Sequence, residues 1–205
     1  MRPELVRLVF LDRERVMISH VASLLSWDQE TGMPPAAGEE RASQFAWLEG
    51  VAHEKAVHPE VGRLLEALGC TDGNPAGDPS LDADARAFLR LMHRNYSRAI
   101  KLPAELVRET ARAQSLGHSA WIKARASSDF PAFLPHLERL LELRRLAAAS
   151  IEPSRAPYDV LLDLFEPGSC EASVCRVFDP LREDLTALLN RIRSRPQVDD
   201  SCLRR

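Results

Sequence analysis

The stretch "LLSWDQETGMPPAAGEERASQ", residues 24–44, decides the architecture. Leu24 and Leu25 close an apolar run that recurs at helical spacing through Leu5, Leu8, Val9, Val16 and Val21, so residues 4–25 read as one long amphipathic helix. Gly32, Pro34, Pro35 and Gly38 then follow within seven residues, and a helix cannot hold them all. A second helix is expected from about Glu39 to Ala56, with Glu39 and Glu40 favourably placed at its positive N-terminal end. The pattern is helix, break, helix, with nothing resembling a strand.

Working outward, the same periodicity continues. Pro59 is a good first-turn residue for a short helix to Leu68. "GCTDGNPAGDPS", 69–80, is the clearest loop, rich in residues that supply turn conformations. Leu81–Ile100 returns to helix with Ala85, Phe88, Leu89, Met92 and Tyr96 on one side. Pro103 opens another, along which Leu106, Thr110, Ala113, Gly117, Ala120 and Ala124 form a stripe of mostly small residues suited to close helix packing. "SSDFPAFLP" is a start signal with Ser128 or Asp129 as cap. Pro135 predicts a kink or restart before that helix runs to about Ala149. A short helix is expected near Tyr158–Phe165. Finally Val174, Phe178, Leu181, Leu185, Leu188 and Ile192 form a regular apolar seam that Pro180 is expected to break or bend. The fold class is all-α, about seven or eight helices, in a single helical region over 1–205 with a loop at 69–80.

Composition limits the function. The 205 residues are 45% hydrophobic and 28% charged, with a formal net charge of −3. That is a globular balance, and basic residues spread along the chain offer no concentrated surface for nucleic acid. The N-terminus "MRPELVRLVFLDRERV" is charged throughout and unlike a signal peptide, and no apolar run reaches membrane-spanning length. A cytoplasmic location is expected, with Cys70, Cys170, Cys175 and Cys202 as reduced thiols; none forms a C-x-x-C pair.

"HEKAVH", residues 53–58, comes within one residue of the zinc signature H-E-x-x-H. In that signature two histidines four apart face one metal from the same side of a helix. Here His58 follows His53 by five, about 140° around the helix, and Pro59 pushes it out of the α region. A local metal clamp is not expected; His53, Glu54 and Lys55 read as a solvated helix end. Asp28 and Glu30 are close enough in sequence to raise the question of paired carboxylates. The reading preferred is a helix end turning into the proline-rich break, held down by Trp27 and Met33. His118 and Trp121, three apart, read as a packed pair. The glycines show no P-loop spacing, and there is no G-x-S-x-G elbow.

Together these stretches are more specific than they are separately. "SWDQ" followed by Met33-Pro34 and then Arg41-Ala42-x-Gln44 resembles the N-terminal signature of the carboxypeptidase Taq family of metallocarboxypeptidases. Residues 102–143, 157–168 and 178–192 are similar to the family's next blocks in order and spacing, and "DDSCLRR" to the segment leading toward its catalytic half. The resemblance implies an all-α, cytoplasmic, usually homodimeric peptidase that removes C-terminal amino acids from peptides. It further implies a zinc or cobalt ion held by H-E-x-x-H and a later glutamate. Those motifs lie downstream of the matched region, so no catalytic, cofactor-binding or metal-ligating residue is assigned here. The expectation is an N-terminal, groove-wall portion, inactive alone and without its own metal. Its expected partners are a homodimer mate or a separate catalytic half, with peptide substrates only when intact. The alternatives are a free-standing helical interaction module, whose helices would expose apolar patches, and a non-functional remnant.

Overall fold

A computed structural model describes residues 2–196, 199 and 201–203. Among them are eight α-helices: α1 (Pro3–Thr31), α2 (Gly38–Ala56), α3 (Pro59–Ala67), α4 (Ala83–Ala99), α5 (Ala104–Ser127), α6 (Phe130–Ile151), α7 (Pro157–Leu162) and α8 (Glu171–Arg193). Short 3-10 turns lie at Pro35–Ala37 and Ser201–Leu203, and the described residues contain no strand beyond an isolated bridge between Thr71 and Asn74. The fold is all-α. It divides into two compact units, residues 1–153 and 154–205.

In the first unit the principal core lies between α1, α3 and α4. Leu5, Leu8 and Leu11 of α1 meet Val61 and Leu65 of α3, and Ala85, Leu89 and Met92 of α4. Leu8, Leu68 and Leu89 are wholly buried. The α4 face anticipated from the sequence is the one that turns inward. Asp82 caps α4 by accepting from the Ala85 N–H at 2.8 Å. The 69–82 loop closes the core beneath it. Gly77 is there because its φ is +69° and an added Cβ would sit 2.5 Å from the Leu68 carbonyl oxygen. Asp78 holds the other side, donating its backbone N–H to Leu68 O at 2.8 Å and receiving Arg2 Nη1 at 3.0 Å. The Ser80 backbone N–H, bound at 2.9 Å, holds the Asp78 carboxyl below its usual range.

The rest of this unit is a layer in which α5 lies against both α2 and α6. Close approach is made by small residues: a Cβ at Gly50 of α2 would meet Arg108 of α5 at 3.1 Å. One at Gly117 would meet Leu140 of α6 at 3.2 Å. Of the stripe expected on α5, Gly117 and Ala124 are buried; Ala111 and Ser115 complete the buried set.

Neither a restart at Pro135 nor a break at Pro180 occurs. Both α6 and α8 run unbroken through Pro135 and Pro180. Pro135 lies in the second turn of α6, where the one backbone bond it forfeits is to Pro131, itself in the first turn. Asp129, not Ser128, caps α6, accepting from Ala132 at 3.1 Å, while Ser128 takes the left-handed conformation that ends α5.

The second unit is small. Asp159 of α7 accepts the Glu171 N–H at 2.7 Å, and Arg155 Nη2 donates to Ser169 O at 3.1 Å, which tie α7 to the start of α8. Cys170 and Ser173 form a reciprocal capping box at the α8 N-terminus. Val160 is buried, yet α8 carries no buried residue along its 23 positions.

Candidate functional site

The family-like signature segment comes together where the C-terminal turns of α1 meet α2 and α5. Arg41, on the first turn of α2, is buried and reaches back across the proline break. Its Nη2 lies 2.5 Å from Asp28 Oδ2, its Nη1 donates to the Leu25 carbonyl, and its Nε donates to Gln44 Oε1 at 3.0 Å. The guanidinium thereby gives all three nitrogens a partner, which a buried arginine requires. Asp28 is therefore the anchor of a helix–helix clamp. Trp27, expected to pack the segment down, is instead 67% exposed.

The next two residues turn toward α5. Gln29 Nε2 donates to the Ser115 carbonyl at 3.2 Å, and Ser115 Oγ donates to Gln29 Oε1 at 3.3 Å. Glu30 Oε1 lies 3.0 Å from His118 Nε2, a nitrogen that is buried and lacks an aligned hydrogen bond. Asp28 and Glu30 thus engage different partners, Arg41 and His118, and do not act as a carboxylate pair. His118 and Trp121 are in ring contact, their centroids 6.0 Å apart, as the packed-pair reading expects.

These side chains line a polar cavity of about 320 Å³, with Gln29, Glu30, Ser115 and His118 on its walls and Phe45 and Glu49 facing them from α2. Desolvation raises the Glu49 carboxyl above its usual range, although the residue as a whole stays exposed. The arrangement can hold a polar group by hydrogen bonds. Sequence reading missed Glu49, Gln29 and Ser115, since a glutamine meeting a serine 86 positions away leaves no local signal.

The histidines of the near-miss motif part company. His58 is the N-cap of α3, its Nδ1 accepting from the Glu60 N–H at 3.3 Å. His53 is not solvated as expected: it is half-buried, bound to the Leu102 backbone, and desolvation lowers its pKa. Lys55 pairs with Glu14 at 2.9 Å. Among the described residues no group of three or more His, Cys, Asp or Glu side chains is placed to hold a metal ion. The side chains described do not fit a zinc or cobalt centre. The cysteines are free thiols, with Cys70 in the core.

Residues 8–204 match the family described as Carboxypeptidase Taq (M32) metallopeptidase. The chain belongs to the carboxypeptidase Taq (M32) family. It is 34% identical over 194 residues to thermostable carboxypeptidase 1 of Thermus thermophilus, covering 90% of this chain and 37% of that protein. It is also 34% identical over 175 residues to thermostable carboxypeptidase 1 of Pyrococcus furiosus, covering 85% and 34%. The solved structure of BsuCP superimposes with a TM-score of 0.85 at 25% identity, over 94% of this chain and 38% of that one. The M32 carboxypeptidase of Deinococcus radiodurans does so at 0.73 and 28%, over 97% and 39%. The chain therefore spans little more than a third of the length of these relatives. Of the "DDSCLRR" segment, residues 200, 204 and 205 lie outside the described residues. No helix among the described residues is long and apolar enough to cross a membrane.

Proposed function

We propose that this chain is the N-terminal, groove-wall portion of a metal-dependent carboxypeptidase that removes C-terminal amino acids from peptides, and that it is catalytically silent by itself. The observation that carries this reading is the family match over residues 8–204 in a chain equal to only 34–39% of its relatives' lengths. The sequence holds no H-E-x-x-H run, so hydrolysis must draw its metal ligands from elsewhere. What this chain supplies is a wall of helices clamped by Arg41 and lined by Gln29, Ser115 and His118.

The test uses an N-blocked dipeptide with zinc or cobalt added. The 205-residue chain should release no C-terminal amino acid. A chimera joining it to the unmatched remainder of the Thermus protein should release it, and should stop on chelation. Hydrolysis by the isolated chain would overturn its silence. A folded but inert chimera beside an active Thermus parent would overturn the assignment as a groove wall.

The second reading, a helical module acting through another polypeptide, has one observation in its favour. Val6, Phe10, Met17, Val21 and Leu24 of α1 are all more than 40% exposed. An exposed apolar stripe of that length marks a contact surface. A chain that is monodisperse, cooperative in unfolding and indifferent to the remainder of a relative would argue against both readings.

A further inference from the structure

Helix α8 is an amphipathic helix whose apolar face is largely exposed from Val177 to Ile192. Val177, Phe178, Leu181, Leu185, Leu188, Leu189 and Ile192 are each between 42% and 63% exposed. At about 100° per residue they fall within a stripe roughly 120° wide, the width of a core-facing helix surface. Val174, Phe178, Leu181, Leu185, Leu188 and Ile192 follow one another at alternating steps of four and three. That is the a/d seam of knobs-into-holes packing, whose partner is another helix crossing at about 20°.

The charges narrow the choice of occupant. Along its length α8 carries Arg176, Arg182, Arg191 and Arg193 against Glu171, Asp179, Glu183 and Asp184. With the two signs in balance, α8 lacks the cationic face that holds a helix on an anionic membrane. A second copy is also disfavoured. Pairing α8 antiparallel with itself about its middle sets Asp184 against Asp184, and Arg182 against Arg182, at the flanks of the seam. In BsuCP the part equivalent to this chain belongs to a polypeptide of which it is only 38%, so most of that body is further protein.

We infer that the α8 seam is the docking face for one long amphipathic helix from the remaining, catalytic part of the carboxypeptidase fold. The inference rests on the reading of this chain as one portion of that enzyme. It adds the surface, the seam residues and the class of partner.

Hydrogen exchange on α8 tests it. In the isolated 205-residue chain the α8 amides should exchange at nearly the same rate at every protein concentration. In the chimera with the Thermus remainder they should slow at least about tenfold, and the paired substitutions Leu185→Asp and Leu188→Asp should abolish that slowing while Glu183→Gln leaves it. Should the chimera fail to fold, synthetic peptides covering the helices of the Thermus remainder are titrated against the full 205-residue chain. At least one should protect α8 in the unaltered chain and not in the Leu185→Asp, Leu188→Asp chain. Protection that appears in the isolated chain, or that grows with its concentration, would overturn the inference. So would a chimera with α8 unprotected, or a peptide set in which none binds. A chimera that hydrolyses peptide with α8 unprotected sinks only the seam. One with α8 protected but inert sinks the functional reading and leaves the seam standing.

Discussion

Helices α4 and α8 are alike in design and opposite in fate. Each carries its apolar residues on one face, and each begins with a side chain that caps its first turn. Yet α4 buries Ala85, Leu89 and Met92 between α1 and α3, whereas α8 buries nothing. Amphipathic pattern is therefore a statement about need, and burial is a statement about supply. Residues 1–153 contain both halves of their main contact. In residues 154–205 the apolar side chains of α8 from Val177 to Ile192 stay exposed.

The heaviest blow to this comparison is struck at Leu89. It is wholly buried, so Leu89→Ala removes contacts on all sides and should cost about 2–5 kcal/mol. A drop in the urea midpoint at unchanged denaturant dependence would register it. A cost under about 0.5 kcal/mol, the level of an exposed surface change, would mean that the α1–α3–α4 core is not what holds the unit together.

Next comes Arg41→Ala, which probes the polar fastening of the same unit. It removes the second hydrogen bond to the Leu25 carbonyl, which stays within the helical ladder of α1, and leaves the Asp28 carboxylate without its cation. Asp28 is 44% exposed, so water takes over part of the lost interaction; the expected cost is about 2 kcal/mol, below that of a fully buried pair. Asp28→Asn keeps the shape and should cost less. If Arg41→Ala were neutral, the signature segment would owe its position to the proline break alone.

The arginine clamp also marks where sequence reading stopped. The helix spans were legible because period, proline and capping residues act locally: α2, α3 and α4 start within two residues of their expected first positions. The two internal prolines do not end their helices because each removes only one backbone bond, which a long helix with many others tolerates. The outward turn of Trp27 and the inward turn of His53 were not legible. Both depend on what approaches from elsewhere in the chain, as Leu102 of the α4–α5 turn approaches His53. For the candidate site, Asp28, Glu30 and His118 stood out as residue types, but their pairing with Arg41 and with each other across α1, α2 and α5 is a matter of tertiary geometry.

A smaller effect is expected at His53. Desolvation depresses its pKa in the folded chain below the value of an unfolded histidine, with the hydrogen bond to Leu102 opposing that shift. Unfolded chains then bind the extra proton first. The stability His53 contributes is present above its unfolded pKa, and is lost as the pH falls through that value toward the folded one. Unfolding followed from pH 8 to pH 5 should show this loss in the unaltered chain, and a shallower one in His53→Gln. An unchanged slope would return His53 to the solvated helix end that its sequence context suggests.

The smallest effect is the most discriminating. Leu185→Ala removes the same atoms as Leu89→Ala, but from a side chain that is 48% exposed. Little contact is lost, and alanine is the better helix former, so in the dilute isolated chain the change should stay below about 0.5 kcal/mol. The two leucine substitutions are chemically identical, and the difference between their costs measures the cover that α4 has and α8 lacks. Matching costs in dilute solution would erase the distinction between the helices. A cost at Leu185 that rises with protein concentration would assign the missing cover to a second copy of the chain. A cost that appears only when the remainder of a relative is joined on would assign it to that remainder, and would turn the contrast between α4 and α8 into a difference of when, not whether, each face is buried.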